Sequence, residues 1–238
     1  MNLYRKHIVF GGGWGVVILL ALALSWDGGP VQAQLVTVGF ESITPGVSQA
    51  DKQTGEEQLW LDVEHHPGAL TATFKFYNKA PVGDPQPCSI ADIYIQDGHL
   101  CSLLYIVDKD NPYPPPPPDN YGHPGVDFEI GATPGNLPDG QYAVPPFVAT
   151  KRFSMDSDPP VQPCGINPDE WLVAVYSVQE GTTVYDIEQE ILSGTLRVGY
   201  HVQAFSDGKS ASFVSVPEPA SILLLGLGGL ALIKKRRI

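Results

Sequence analysis

The sequence predicts an all-β fold: an antiparallel β-sandwich with one short helix, set between an N-terminal signal helix and a C-terminal hydrophobic helix. Three observations carry this. Short runs rich in β-branched and aromatic residues recur through the middle of the chain. Clusters of Gly, Pro, Asp and Asn separate them at roughly the spacing expected of a sandwich. The 23 prolines and 25 glycines among 238 residues suit a loop-rich β fold and oppose a helical one.

Residues 1–33 read as a signal peptide. Arg5 and Lys6 supply a positive start, and Ile8 to Leu24 is an apolar stretch, weakened as a helix by Gly11, Gly12, Gly13 and Gly15. Val31-Gln32-Ala33 is the small-residue pattern that precedes a cleavage bond, so signal peptidase is expected to cut between Ala33 and Gln34. An uncleaved signal anchor is the other reading of the same residues.

The segment 34–215 then forms the ectodomain. Its length suits one domain, able to bury about two thirds of its unfolded surface. The chain carries net −12, while residues 1–33 and 216–238 are net positive by +1 and +3, which leaves −16 on the ectodomain. A domain this acidic repels phosphate backbones, so no nucleic-acid partner is expected.

The expected strands are Leu35–Phe40, Gln58–Val63, Leu70–Tyr77, Ile90–Gln96, Cys101–Val107, Val126–Ile130, Phe147–Phe153, Trp171–Val178, Leu196–Phe205 and Ala211–Val214. Asp97-Gly98 reads as a two-residue hairpin turn in which Gln96 faces His99 and Tyr94 faces Cys101. In that register Cys88 lies on the order of 20 Å from Cys101, too far for a disulfide. Cys88 and Cys164 share a Pro-Cys loop context, which makes them the expected disulfide in an oxidising compartment; three reduced thiols are the alternative.

One helix is expected near residue 184. Thr183 with Asp186 forms a capping pair, Val184, Ile187, Ile191 and Leu192 recur at helical steps, and Gly194 can end it as a left-handed cap. Asp108 to Gly125 is the longest stretch without a predicted element. Its five prolines, Pro114 to Pro118, form a stiff rod of roughly 15 Å flanked by Tyr113 and Tyr121. It reads as a docking segment for an aromatic groove, or as a surface loop stiffened against proteases.

The C-terminal tail is the most informative segment. Pro217-Glu218-Pro219 opposes helix and is followed by 14 apolar residues, Ala220 to Ile233, then by Lys234, Lys235, Arg236 and Arg237. As a helix the apolar run covers roughly 21 Å, short of the ~30 Å hydrocarbon core. The four cations behind it resist translocation and stay cytoplasmic. The segment can halt in a membrane but is a poor permanent span. This arrangement, with Gly226, Gly228 and Gly229 spacing the apolar run, resembles the PEP-CTERM sorting signal of Gram-negative bacteria. The resemblance implies handling by exosortase, a membrane cysteine transpeptidase, in a bacterium that makes exopolysaccharide. The inner membrane is then a transient location, and the cell surface or extracellular matrix the destination. Leu196–Phe205, Ser210–Val214 and Gly165–Leu172 also look like ectodomains that precede such tails, which implies a β-sandwich and assigns no activity.

Catalytic motifs are missing: no G-x-S-x-G, H-E-x-x-H, Walker loop or C-x-x-C occurs. No catalytic, cofactor-binding or metal residue is assigned. His65 and His66 are metal-ligand types, but neighbours on a strand point to opposite faces. Asp108, Asp110 and Asn111, or Asp156 and Asp158, could hold calcium, though turn capping explains them equally. The chain is therefore expected to be an exported, non-catalytic structural or adhesive surface protein, with exopolysaccharide as a possible partner. A secreted carbohydrate-binding module or glycan-active enzyme is the alternative, and Tyr94, Tyr105, Tyr113 and Tyr121 on one face would favour it.

Overall fold

The computed structural model of the chain describes residues 35–66, 69–80, 86–98, 100–108 and 123–216. The expected signal peptide, the Ala33–Gln34 bond, the polyproline run with Asp110, Asn111, Tyr113 and Tyr121, and the tail from Pro217 to Arg237 lie outside these residues. Among the described residues no helix is long and apolar enough to cross a membrane.

In chain order the elements are β1 (Leu35–Ser42), α1 (Gln49–Gln58), β2 (Leu59–His66), β3 (Thr71–Asn78), β4 (Ser89–Gln96), β5 (Leu100–Val107), β6 (Phe128–Ile130), β7 (Met155–Ser157), α2 (Val161–Cys164), β8 (Trp171–Val178), α3 (Val184–Ser193), β9 (Arg197–Gln203) and β10 (Ala211–Ser215). All strand pairs are antiparallel, in the order β5-β8-β3-β2-β1-β10-β9-β4-β7-β6. The chain is all-β, as its runs predict.

The sandwich is made by one strand changing partners. Residues 35–39 of β1 pair with β2, and residues 40–42 pair with β10. The sheet folds over at that switch, so its two halves share one core instead of forming separate sheets. Phe40 stacks on Tyr200 at 4.0 Å, and Phe76 of β3 meets the same ring edge-on at 6.2 Å. Phe74 and Phe153 approach Tyr176 in the same way. Each buried tyrosine hydroxyl donates to a backbone carbonyl, Tyr200 to Trp60 O at 3.0 Å and Tyr94 to Pro134 O at 2.9 Å. Burial of these rings therefore leaves no phenol unsatisfied. The free edges β5 and β6 face each other across an open groove of 410 Å³.

The expected helix forms as α3 with both halves of its capping box, Thr183 N donating to Asp186 Oδ2 at 2.8 Å and Asp186 N to Thr183 Oγ1 at 3.3 Å. Gly194 ends it at φ 71°, a conformation that favours glycine. Ile187 and Ile191 are buried, whereas Leu192 is exposed.

Four expectations are corrected. Asp97-Gly98 is not a hairpin turn: β4 pairs with β9 and β7, while β5, among the described residues, pairs only with β8, so Asp97 and Gly98 cross between the halves of the sheet. Cross-strand partners far away in sequence override the local turn signal, and the distance argument between Cys88 and Cys101 falls with it. Phe147–Phe153 is not a strand. Pro145 and Pro146 precede it, and side chains take its amides, Val148 N donating to Gln96 Oε1 and Ala149 N to Asn136 Oδ1. The segment ends in a 3-10 turn, Lys151–Phe153. Third, α1 has no counterpart in the sequence reading, because its residues QADKQTGEEQ carry no apolar stripe. It is held by the Ser48 cap and by Gly55, whose missing side chain lets the backbone rest on the Phe213 ring; any Cβ there would collide with that ring.

The fourth correction concerns Cys88 and Cys164, which are free thiols. Cys88 is turned into the core, where Gln58 Nε2 at 3.2 Å and Asn78 Nδ2 at 3.5 Å donate to its sulfur. Burial pushes the Cys88 thiol up to about 11, more than those two donors lower it. It should therefore resist alkylation at pH 8 until the fold opens, while the half-exposed Cys164 reacts. Peptide mass mapping after iodoacetamide checks this; labelling of Cys88 in the folded protein would contradict the packing.

Candidate functional site

The end of β10 is where the fold meets the sorting tail. Val214 pairs with Gly199 of β9 and Glu41 of β1, so β10 is an inner strand with a neighbour on each side. Ser215 remains tied in, its Oγ accepting from Val198 N at 2.9 Å. Val216 N still donates to Gly39 O at 3.3 Å. Pro217 follows immediately, so no linker separates the fold from the Pro-Glu-Pro segment. Antiparallel pairing also places the start of β1 and the end of β10 at the same end of the sheet.

Residues 215–237 match the PEP-CTERM protein-sorting motif. No curated protein and no solved structure matches the chain. The PEP-CTERM tail makes this an exported, surface-sorted protein that transits the membrane and is processed there by exosortase. The match begins on the last residue of β10, so fold and signal share Ser215.

The other sequence candidates are not gathered into one site. His65 and His66 point to opposite faces, His65 buried and His66 Nε2 lying 2.9 Å from Thr73 Oγ1. Burial, and then the neighbouring His66, lower the His65 pKa. Tyr94 is buried under the 132–149 segment, whereas Tyr105 lies half-buried against Val173 and Val175 on the other half of the sheet. These two tyrosines therefore do not share a face. Asp108 and Asp158 both line the β5–β6 groove with Asp127 and Glu129, while Asp156 turns to β4. Among the described residues no three such groups stand close enough to hold a metal ion.

The structure assembles one row that sequence reading missed. Asp92 on β4 lies in register with His201 on β9 and Asp156 on β7, and Ser212 on β10 is opposite His201. His201 Nδ1 lies 2.7 Å from Asp92 Oδ2. The hydroxyl of Ser212 is buried without a hydrogen-bond partner, so it is poorly placed as a nucleophile. Asp92 and Asp156 sit side by side, not across a cleft as glycoside hydrolysis requires. The signal in the sequence was Asp92 alone inside the apolar run Ile90-Ala91-Asp92-Ile93; its partners lie too far away to be read.

Burial, the Asp92 charge and a shared hydrogen bond with Asp92 push Asp156 up to about 6, with Glu129 adding a further push, from an ordinary 3.8. Between those values the folded state binds more proton than the unfolded one. Its contribution is thus fully present below 3.8 and is lost as pH rises through about 6. Asp156→Asn should therefore stabilise the protein at pH 7, with the gain shrinking toward pH 4. Urea midpoints at the two pH values check this, and an equal gain at both would contradict it.

Proposed function

We propose that the folded domain is a non-catalytic structural or adhesive module whose role is set by placement at the cell surface. The observation that supports this reading is the absence of any spacer between Ser215 and Pro217: the unit delivered by the tail is the whole β fold, held by its last strand. Exopolysaccharide is the matrix partner that such a placement favours, and the net charge of −16 on residues 34–215 keeps the domain dispersed there.

A second reading, a carbohydrate-binding module, is favoured by a different row. Trp60, Tyr77 and Trp171 are direct cross-strand neighbours on β2, β3 and β8, so they share the outer face of that half of the sheet. All three are half-buried, and Lys75 Nζ lies 4.7 Å from the Trp171 ring. One experiment separates the readings. Residues 34–216, incubated with exopolysaccharide of the host, are expected to release no reducing ends. Turnover that a single Asp or Glu substitution abolishes would sink the non-catalytic reading. Retention on the polysaccharide that Trp60→Ala abolishes would establish the binding module.

A further inference from the structure

We propose that the loop Tyr142–Val148 is a membrane seat, resting on the lipid interface of the outer leaflet while the PEP-CTERM tail is held in the bilayer. The inference rests on the sorting reading of the tail and adds a second contact that nothing in the tail supplies.

The loop is apolar and turned outward. Val144 is 96% exposed, Val148 65% and Tyr142 55%, and Pro145 and Pro146 between them are exposed as well. A soluble loop of this composition would ordinarily fold its apolar residues inward. Here the fold holds them out. Ala143 and Phe147 are buried with Leu137, Tyr94 and Val214 on the outer face of the sheet, which leaves their neighbours no room inside. Arg197, itself 4% exposed, donates to the carbonyls of Pro145 and Pro146 at 2.7 Å each and to Gln96 Oε1 at 2.6 Å. Its guanidinium also lies 5.4 Å from the Phe147 ring. The loop is clamped from beneath at its centre.

The clamp stands beside the chain exit. Since Val214 pairs with Gly199 and Ser215 bonds to Val198, Arg197 is level with Val216, one strand away. From Ser215 to Ala220, the first residue of the apolar run, a fully extended chain reaches no more than about 18 Å. When that run lies in a bilayer, the loop beside Ser215 cannot be far from the surface. Valine, tyrosine and proline side chains of this kind suit the interface, where apolar groups meet headgroups.

Charge agrees. Residues 34–215 carry eight lysines and arginines; Arg197 is spent beneath the loop, and Lys151 and Arg152 follow it directly. Lys151 and Arg152 are exposed immediately after the loop. The acids nearby are Asp97, 3.5 Å from Arg152, Asp139, which accepts from Thr44 Oγ1 at 2.9 Å, Asp156, which accepts from Thr133 N, and exposed Glu41, opposite Val214. On a domain of net −16, Lys151 and Arg152 are the two exposed cations beside this loop that an anionic headgroup can meet.

The test uses the full chain in membranes of its own host. A benzophenone amino acid replaces Val144, with the same replacement at Leu104, exposed on the edge strand β5, as the reference position. Lipid-mass adducts at position 144 are expected at about fivefold or more the yield at position 104, given an apolar side chain buried in the interface. Adding Val148→Asp should reduce that yield while leaving the protein folded, because Val148 is exposed. Protein-sized adducts at position 144 would mean that the loop docks on a protein, and equal lipid yields at the two positions would mean no seat; either overturns the proposal while the sorting reading stands. A chain found entirely in the soluble fraction with its C-terminus intact would overturn both.

Discussion

Deleting Pro217–Ile238 is expected to move nearly all of the protein from the cell surface to the medium or the periplasm, with residues 35–216 still folded. The physical reason is a division of labour. Residues up to Val216 are held by hydrogen bonds to β1 and β9, so the fold ends before the deletion begins. The deleted residues hold the 14-residue apolar run and the four cations that halt the chain in a bilayer. Surface or floc phenotype should change although circular dichroism of the released domain stays β-rich. In the undeleted protein, intact mass of the surface form should lack Ile222–Ile238. Surface protein with its full C-terminus would mean a plain tail anchor, and a truncated protein that still reaches the surface would locate the sorting information elsewhere.

Tyr200→Ala should cost about 4 kcal/mol, the scale for removing a fully buried aromatic ring from a close-packed core. The ring stacks on Phe40, meets Phe76 from the other half of the sheet, and donates its hydroxyl to Trp60 O. It therefore joins the two halves, and its loss opens a cavity at the point where they meet. For a domain of this size the melting temperature should fall by roughly 8–16 °C. Tyr200→Phe keeps the stacking and loses one hydrogen bond, about 1 kcal/mol. Thermal melts of residues 34–216 measure both. A Tyr200→Ala variant as stable as Tyr200→Phe would show that the halves are held together some other way.

Nine of the ten expected strand runs are strands, because their signal is local: β-branched and aromatic residues bounded by Gly and Pro. Helix α3 was legible for the same reason, since its capping box and glycine stop lie within twelve residues, Thr183 to Gly194. The PEP-CTERM tail was legible because a sorting signal must be read from an extended or membrane-held segment by its residues alone. The failures share the opposite property. Helix α1 has no apolar stripe and exists because Phe213, more than 150 residues away, supplies a surface for Gly55. The Phe147–Phe153 run is β-like in composition, but its amides are taken by Gln96 and Asn136.

By itself, then, the sequence determined the export and sorting of this protein and the all-β character of its domain, since charge runs, apolar lengths and two-residue periodicity act over a few residues. Only the tertiary structure decided which strands pair, how β1 turns one sheet back over itself, and that Asp92, Asp156 and His201 meet in a row. The same holds for the clamp by which Arg197 presents an apolar loop beside the chain exit. The contacts that decide them, the β1–β10 and β4–β9 pairings, the Asp92–His201 contact and the Arg197 bonds, join residues some fifty to more than a hundred positions apart, whose register is set by packing the whole core at once.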